Sequence, residues 1–147
     1  MKRSLLLVSS LLLPCAAGAQ MQVSRIQVRV LNGHNGKPIA HADTSTLMLP
    51  QTIFSMPIPM RTDRNGTLSM LVLKTSEVKV TVPHHATCEY RQKSDRKLKG
   101  PSAYPVQQIL SSGVLGKDRC GHLEVQPAAG VLTVFVRPKH WWERLGY

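Results

Sequence analysis

Residues 25–49 read RIQVRVLNGHNGKPIAHADTSTLML, and this stretch decides the fold. Its first part alternates apolar and polar residues, with the apolar positions at Ile26, Val28 and Val30. Such a period of two is typical of a strand that buries one face. The pattern stops at residues 32–38, where Gly33 and Gly36 can adopt the left-handed backbone that a tight turn requires. It resumes over residues 40–48, so the stretch predicts a strand, a turn and a second strand.

Further along the chain, similar signals predict more strands and a second turn. Asp63 and the pair Asn65-Gly66 are typical of a tight hairpin loop. Strands are predicted at residues 67–73, 77–82 and 131–136, with a short one at residues 123–125. The run VLTVFV at 131–136 is apolar on both faces, which places it inside a sheet. About seven short strands with glycine- and asparagine-rich turns indicate an all-β, antiparallel β-sandwich.

One short helix is expected at residues 104–112, YPVQQILSS. Its apolar residues fall on one helical face, at Val106, Ile109 and Leu110. Pro105 suits the first turn of a helix, and Ser102 is a candidate for the N-cap. Gly113 suits the position just beyond the C-terminal end. A helix this short needs packing against the sheets to be stable.

The first residues have the features of an export signal. Lys2 and Arg3 precede an apolar run at residues 5–13. Small residues at 17–19 then fit the cleavage rule of signal peptidase. We therefore expect residues 1–19 to be a signal peptide, and the protein to reside in the periplasm or outside the cell.

The remaining residues, 20–147, are expected to form one domain with its own core. A lipoprotein signal at Cys15 is an alternative to simple cleavage, although Pro14 disfavours it. The apolar run of the leader is shorter than the roughly 20 residues of a membrane span. No later run is long and apolar enough to be one, so no transmembrane segment is expected.

Two cysteines lie beyond the expected leader, Cys88 and Cys120. An even number of cysteines in an oxidising compartment predicts a disulfide between them. The alternative is a metal site in which His122 and either His84 or His85 complete the ligand set. Neither a CxxC nor an HxxxH spacing supports that alternative.

Basic residues dominate the chain, with 19 Lys and Arg against 8 Asp and Glu and a net charge of +11. The densest basic cluster falls between residues 84 and 101, at Arg91, Lys93, Arg96, Lys97 and Lys99. It would bind an anionic partner through charge. The alternative is a solvated loop without a ligand. Tyr90 is its only aromatic residue, so base stacking is weakly supported, and no nucleic-acid partner is expected.

The C-terminal part holds both tryptophans of the chain, Trp141 and Trp142. Adjacent tryptophans near a chain end would cover the open end of a core. If they are exposed instead, they would anchor a sugar or a protein partner. The sequence predicts that at least one ring is buried.

The two turn motifs resemble those of the carboxypeptidase regulatory-like domain. They are NGHNGKPIAHA at residues 32–42, after the strand segment VRV, and TDRNGTL at residues 62–68. The family pattern is G-x-P-[IL]-x-x-A, followed later by T-D-x-x-G-x-[FY]; here Leu68 replaces the aromatic residue. The resemblance implies a transthyretin-like, Greek-key β-sandwich, a fold that peptidases of this type carry as an accessory module. The segment from Tyr104 onward resembles small secreted bacterial proteins that consist of this domain alone.

These features favour a non-enzymatic module that binds a protein, polysaccharide or lipid partner at the cell envelope. The sequence has no nucleophile elbow, HExxH motif, P-loop or dinucleotide fingerprint, so we expect no catalytic residue and no cofactor. One alternative is a hydrolase similar to hydroxyisourate hydrolase, which would use His41, Arg137 and His140; the C-terminal Tyr-Arg-Gly-Ser motif of such enzymes is missing. The other alternative is a metal binder that uses some of the six histidines. These are His34, His41, His84, His85, His122 and His140.

Overall fold

The computed structural model describes residues 22–49, 56–89 and 102–144, apart from the side chains of Trp141 and Trp142. These residues form nine strands and two short helices. The strands are β1 (Val23–Asn32), β2 (Asp43–Leu49), β3 (Ile58–Arg61), β4 (Thr67–Leu73), β5 (Glu77–Thr81), β6 (His85–Thr87), β7 (Ala103–Pro105), β8 (Val114–Leu115) and β9 (Val131–Pro138). The helices are α1 (Val106–Ser112) and α2 (Trp141–Arg144).

The strands form two sheets, and the predicted all-β sandwich is confirmed. Sheet A has the order β4-β1-β9-β6, with β8 also paired to β9, and sheet B has the order β3-β2-β5-β7. Most pairs are antiparallel, but β9 runs parallel to both β1 and β8. The extra strands β6, β7 and β8 are two or three residues long. Segments this short carry no periodic signal in the sequence.

The main core lies between the sheets and follows the predicted alternation. Every second residue of β1 and β4 is buried there, namely Ile26, Val28, Val30, Leu68, Met70 and Val72. Sheet B contributes Val78 and Val80, and α1 contributes Val106 and Ile109. As predicted, the helix therefore buries one face against the sandwich, which removes its apolar side chains from water.

A second, smaller cluster covers the outer face of sheet A and explains why β9 is apolar on both faces. Phe135 lies on this face and packs with Leu31, Leu123 and Val125. The predicted central position of this strand is confirmed, since β9 lies between β1 and β6. The prediction of a strand at residues 123–125 is wrong. The alternation there reflects partial burial of Leu123 and Val125 against the cluster around Phe135, and the backbone pairs with none of the described strands.

Both predicted turns are present, but neither closes a hairpin. Residues 33–42 carry the chain from β1 in sheet A to β2 in sheet B, and residues 62–66 carry it back from β3 to β4. Gly36 and Gly66 have φ values of 70° and 69°, as turn glycines require. Turn residues specify local backbone geometry and do not determine which sheet receives the next strand, so the hairpin prediction fails.

The helix begins two residues later than predicted. Tyr104 and Pro105 belong to β7, and Pro105 occupies the N-cap without a side-chain hydrogen bond. Ser102 is therefore not the cap, and its N–H donates to Glu89 instead. Gly113 ends the helix as predicted, with φ of 77° and its N–H bonded to the Ile109 carbonyl. Neither helix in the described ranges has the length and apolar character of a membrane span.

Candidate functional site

A pocket of about 470 Å³ opens where β9 leaves sheet A. Its lining residues come from the segment before β6 and from the segment after β9: Pro83, His84, Lys139, Glu143 and Arg144. The antiparallel pairing of β6 with β9 places His85 opposite Pro138. This register brings two segments that are distant in sequence to the same end of the sheet.

The acidic residue of the pocket is already neutralised. Arg137 donates two hydrogen bonds to the Glu143 carboxylate, from Nη1 to Oε2 at 2.8 Å and from Nη2 to Oε1 at 2.9 Å. The backbone N–H of His140 also donates to Oε2, at 2.9 Å. The Glu143 side chain is 8% exposed, so this paired arrangement is largely removed from water. A bidentate, partly desolvated pair of this kind is strong and geometrically specific.

The remaining charges of the pocket are positive. Lys139 extends across the pocket, where its Nζ donates to the Pro83 carbonyl. Arg144 also lines the pocket and is exposed, in α2. Arg137 and Glu143 neutralise each other. Lys139 and Arg144 therefore give the pocket a net positive charge. The arrangement suits an anionic group such as a carboxylate, sulfate or phosphate.

His85 follows the pocket residue His84 in the chain and begins β6. Its Nδ1 is buried and makes no hydrogen bond within the described part of the chain. Burial lowers the pKa of His85, and electrostatic interactions with His84 and Lys139 lower it further. The imidazole is therefore neutral at physiological pH. Protonating it would bury an additional positive charge close to the ammonium group of Lys139.

The predicted disulfide between Cys88 and Cys120 is present, with a Cα–Cα distance of 5.4 Å. It fastens the segment that follows β8 onto the outer face of sheet A. Gly33 lies against it, since a Cβ at that position would be 2.5 Å from the Cys88 sulfur. The bridge is therefore packed against the first turn of the chain.

The alternative metal site at these cysteines does not have the predicted ligands. The third potential ligand near the two sulfurs is Asp118, and not a histidine. Its carboxylate accepts hydrogen bonds from the backbone N–H groups of Cys120, Gly121 and Leu123. Because the sulfurs are bonded to each other, they offer no thiolate to a metal. Asp118 instead shapes the loop that carries Cys120.

The alternative hydrolase residues are engaged in two different groups of contacts. The backbone of His41 bonds to Arg61 and Asp63 in the sheet-crossing turns. Arg137 and the backbone N–H of His140 are bonded to Glu143 beside the pocket.

Several predicted site residues lie outside the residues that the structure describes. These are the basic residues Arg91, Lys93, Arg96, Lys97 and Lys99, and also the expected signal peptide at residues 1–19. Trp141 and Trp142 belong to α2, but the structure does not describe their side chains.

Glu89 joins the two described ends of the chain on either side of residues 90–101. Its carboxylate is buried and accepts hydrogen bonds from the Tyr104 hydroxyl and, at 3.0 Å, from the Ser102 N–H. The adjacent Cys88 is held by the disulfide. The point from which the predicted basic loop departs is thus fixed to the sandwich.

Sequence reasoning missed the pocket because its residues form no motif. The tryptophan pair is flanked by Lys139, Glu143 and Arg144. In the sequence these three residues look like an ordinary charged segment. Only the pairing of β6 with β9 brings them beside Pro83 and His84. Comparison of the chain with protein families, characterised proteins and solved structures finds no match.

Proposed function

We propose that the protein is an exported, non-enzymatic β-sandwich module that binds an anionic partner at the cell envelope. The partner would be a polysaccharide, a lipid or an acidic protein. The observation that carries this proposal is the charge of the pocket that is formed by the segment before β6 and the segment after β9. Arg137 neutralises Glu143, and Lys139 and Arg144 remain to contact the ligand.

The contacts around the pocket support a binding site that is formed before the ligand arrives. Lys139 is held by the Pro83 carbonyl, and the segment after β9 is held by the Arg137–Glu143 pair. The Lys139 side chain and the segment that carries Arg144 are therefore ordered before a ligand binds, which lowers the entropic cost of binding. An anionic group in the pocket would also accept a hydrogen bond from Lys139 or Arg144 at close range.

Export and family membership are parts of the same proposal. The leader-like residues 1–19 support export, and a disulfide is typical of oxidising compartments. Membership of the carboxypeptidase regulatory-like family is proposed from the two turn motifs of the sequence, which lie in contact in the structure. The side chain of Thr62 in the second motif bonds to Ile39 and Ala42 in the first.

Binding to immobilised dextran sulfate and to lipopolysaccharide vesicles, measured over a series of salt concentrations, tests the proposal. We expect the double variant Lys139→Gln/Arg144→Gln to lose affinity by about tenfold or more and to show a shallower salt dependence. Neutral dextran should not bind. The matched control Arg25→Gln/Arg64→Gln removes the same charge from exposed positions outside the pocket and should retain most of the affinity.

Two results would contradict the proposed site. One is an equal loss in the pocket variant and in its control, which would indicate attraction by net charge alone. The other is the absence of binding to either polyanion. Neutralising Arg96, Lys97 and Lys99 in a third variant measures the contribution of the predicted basic loop separately from that of the pocket.

A further inference from the structure

The cationic pocket contains one residue whose charge can change near neutral pH, His84. It belongs to the segment before β6, it is exposed, and it lines the pocket together with Lys139 and Arg144. The Nζ of Lys139 donates to the carbonyl of Pro83, the residue that precedes His84. Histidine is the side chain that ordinarily gains or loses its charge between about pH 5 and 8. A proton on His84 would therefore place a third cation in this pocket.

The backbone of His84 is fixed on both sides. Val82 is buried in the main core, and its carbonyl accepts a hydrogen bond from the His85 N–H at 2.9 Å. This bond closes a tight turn whose two central residues are Pro83 and His84. His85 then begins β6 and pairs with Pro138 of β9. The chain therefore does not have to rearrange for His84 to meet a ligand in the pocket.

The other charged groups around this turn are cationic, paired or buried. Glu143 is the acidic residue of the pocket lining, and Arg137 donates to both of its oxygens. The Nδ1 of His85 is buried without a hydrogen-bond partner among the described residues, and burial lowers the pKa of this imidazole, so it takes up a proton at lower pH than an ordinary histidine. The titratable and charged residues contributed by β6, β9, α2 and the segment that joins β9 to α2 are His85, Arg137, Lys139, His140, Glu143 and Arg144.

We propose that His84 contacts the bound anion and that protonation of His84 tightens anion binding in mildly acidic solution. This role rests on the proposed function, since it requires that the pocket binds an anion. A neutral imidazole brings no charge to the ligand, whereas an imidazolium beside Lys139 and Arg144 attracts it and donates a charge-assisted hydrogen bond. Binding and protonation are then linked, so each bound anion would be accompanied by the uptake of up to about one proton.

Binding to immobilised dextran sulfate at constant ionic strength, measured between about pH 8 and about pH 5.5, tests this role of His84. Sulfate esters keep their charge over this range, so a change in affinity must arise in the protein. We expect the wild-type affinity to rise by about fivefold or more as the pH falls. The variant His84→Gln should bind as the wild type does at the alkaline end and should lose most of the rise.

Two control variants separate His84 from the other histidines. His34→Gln removes the same titratable group from an exposed position in the first turn, outside the pocket, and should keep the rise. His140→Gln alters an exposed histidine next to the pocket residue Lys139 and should keep most of it. Calorimetric titration with a sulfated oligosaccharide, in buffers of different ionisation enthalpy, supplies a second readout. The wild type should take up protons on binding in the range where histidine titrates, and His84→Gln should not.

The outcomes distinguish this role of His84 from the proposed function. A wild-type affinity that does not change with pH, or a rise that His84→Gln retains, would overturn the role of His84 and leave anion binding by the pocket intact. An equal loss of the rise in His84→Gln and His34→Gln would overturn it too, because net charge would then explain the pH dependence. A wild type that binds at neither end of the pH range would contradict the proposed function, and the role of His84 with it.

Discussion

Thr62 and Ala42 hold each other by two hydrogen bonds that run in opposite directions. The Ala42 N–H donates to the Thr62 hydroxyl at 2.8 Å, and the Thr62 N–H donates to the Ala42 carbonyl at 3.0 Å. The hydroxyl also donates to the Ile39 carbonyl at 2.8 Å. Thr62 is buried, with 2% of its surface exposed. One side chain therefore links the two turns that carry the chain between the sheets.

We expect Thr62→Val to lower the free energy of unfolding by about 2–4 kcal/mol, since it leaves the buried Ala42 N–H and the partly buried Ile39 carbonyl without this partner. Thr62→Ser retains the hydroxyl and should cost less than about 1.5 kcal/mol for the lost methyl group. Urea denaturation of the two variants provides the comparison. A loss in Thr62→Val no larger than that in Thr62→Ser would show that the hydroxyl hydrogen bonds contribute no more to stability than the methyl group.

Two glycines with similar backbone conformations should respond differently to alanine. Gly66 has φ of 69°, and a Cβ there would lie 2.9 Å from the Ile39 nitrogen and the Val30 oxygen. Gly130 has φ of 78° and no atom within 4 Å of the same position. We expect Gly130→Ala to cost about 1–2 kcal/mol of backbone strain and Gly66→Ala about 1–3 kcal/mol more. Thermal unfolding of the pair measures the difference, and similar losses would argue against close packing of the turns at Gly66.

Removing the disulfide should destabilise the protein substantially. The bridge spans a sequence separation of 32 residues. The chain-entropy model then predicts a loss of about 3.7 kcal/mol in the Cys88→Ser/Cys120→Ser variant. Reduction of the wild type with dithiothreitol should shift its denaturation midpoint toward that of the variant. The variant lacks this bridge. If dithiothreitol shifts its midpoint as well, the effect of the reductant on the wild type cannot be assigned to the Cys88–Cys120 disulfide.

Stability should fall as the solution is acidified through the range in which an unfolded histidine titrates. Burial, His84 and Lys139 lower the pKa of His85 below its usual value of about 6.5. The unfolded chain then binds more protons than the folded chain, so the free energy of unfolding decreases as the pH falls below about 6.5. The decrease ends once the pH is below the lowered pKa, where both states are protonated.

The variant His85→Gln should make this pH dependence shallower, whereas His34→Gln, at an exposed position in the first turn, should not. Guanidinium denaturation at a series of pH values between about 5 and 8 measures both slopes. A wild-type slope that His85→Gln does not alter would assign the pH dependence to other groups.

The Arg137–Glu143 pair should show strong coupling in a double-mutant cycle. Arg137→Met would leave the Glu143 carboxylate, 8% exposed, without its guanidinium partner. We expect a loss of about 2–4 kcal/mol, somewhat below the value for a fully buried pair because Arg137 is 18% exposed. The double variant Arg137→Met/Glu143→Gln should recover part of this loss. Additive losses would mean that the two side chains are not coupled.

Local chemistry explains why much of the fold was predictable. Alternation at Ile26, Val28 and Val30 reports a buried face wherever the strand is placed, and Gly36 reports a turn because its φ is positive. The disulfide followed from the count of cysteines. Residues 123–125 show the limit of this reasoning, since their alternation marks burial against Phe135 and not a strand.

By itself the sequence determined the fold class, the longer strands, the single longer helix and the Cys88–Cys120 pair, because each depends on short-range periodicity or on composition. The tertiary structure alone decided that both turns cross between the sheets and that β9 runs parallel to β1. It also assembled the cationic pocket, from Pro83 and His84 on one side and Lys139 and Arg144 on the other. Strand partners are selected by the packing of the whole core, and no short stretch of sequence encodes that choice.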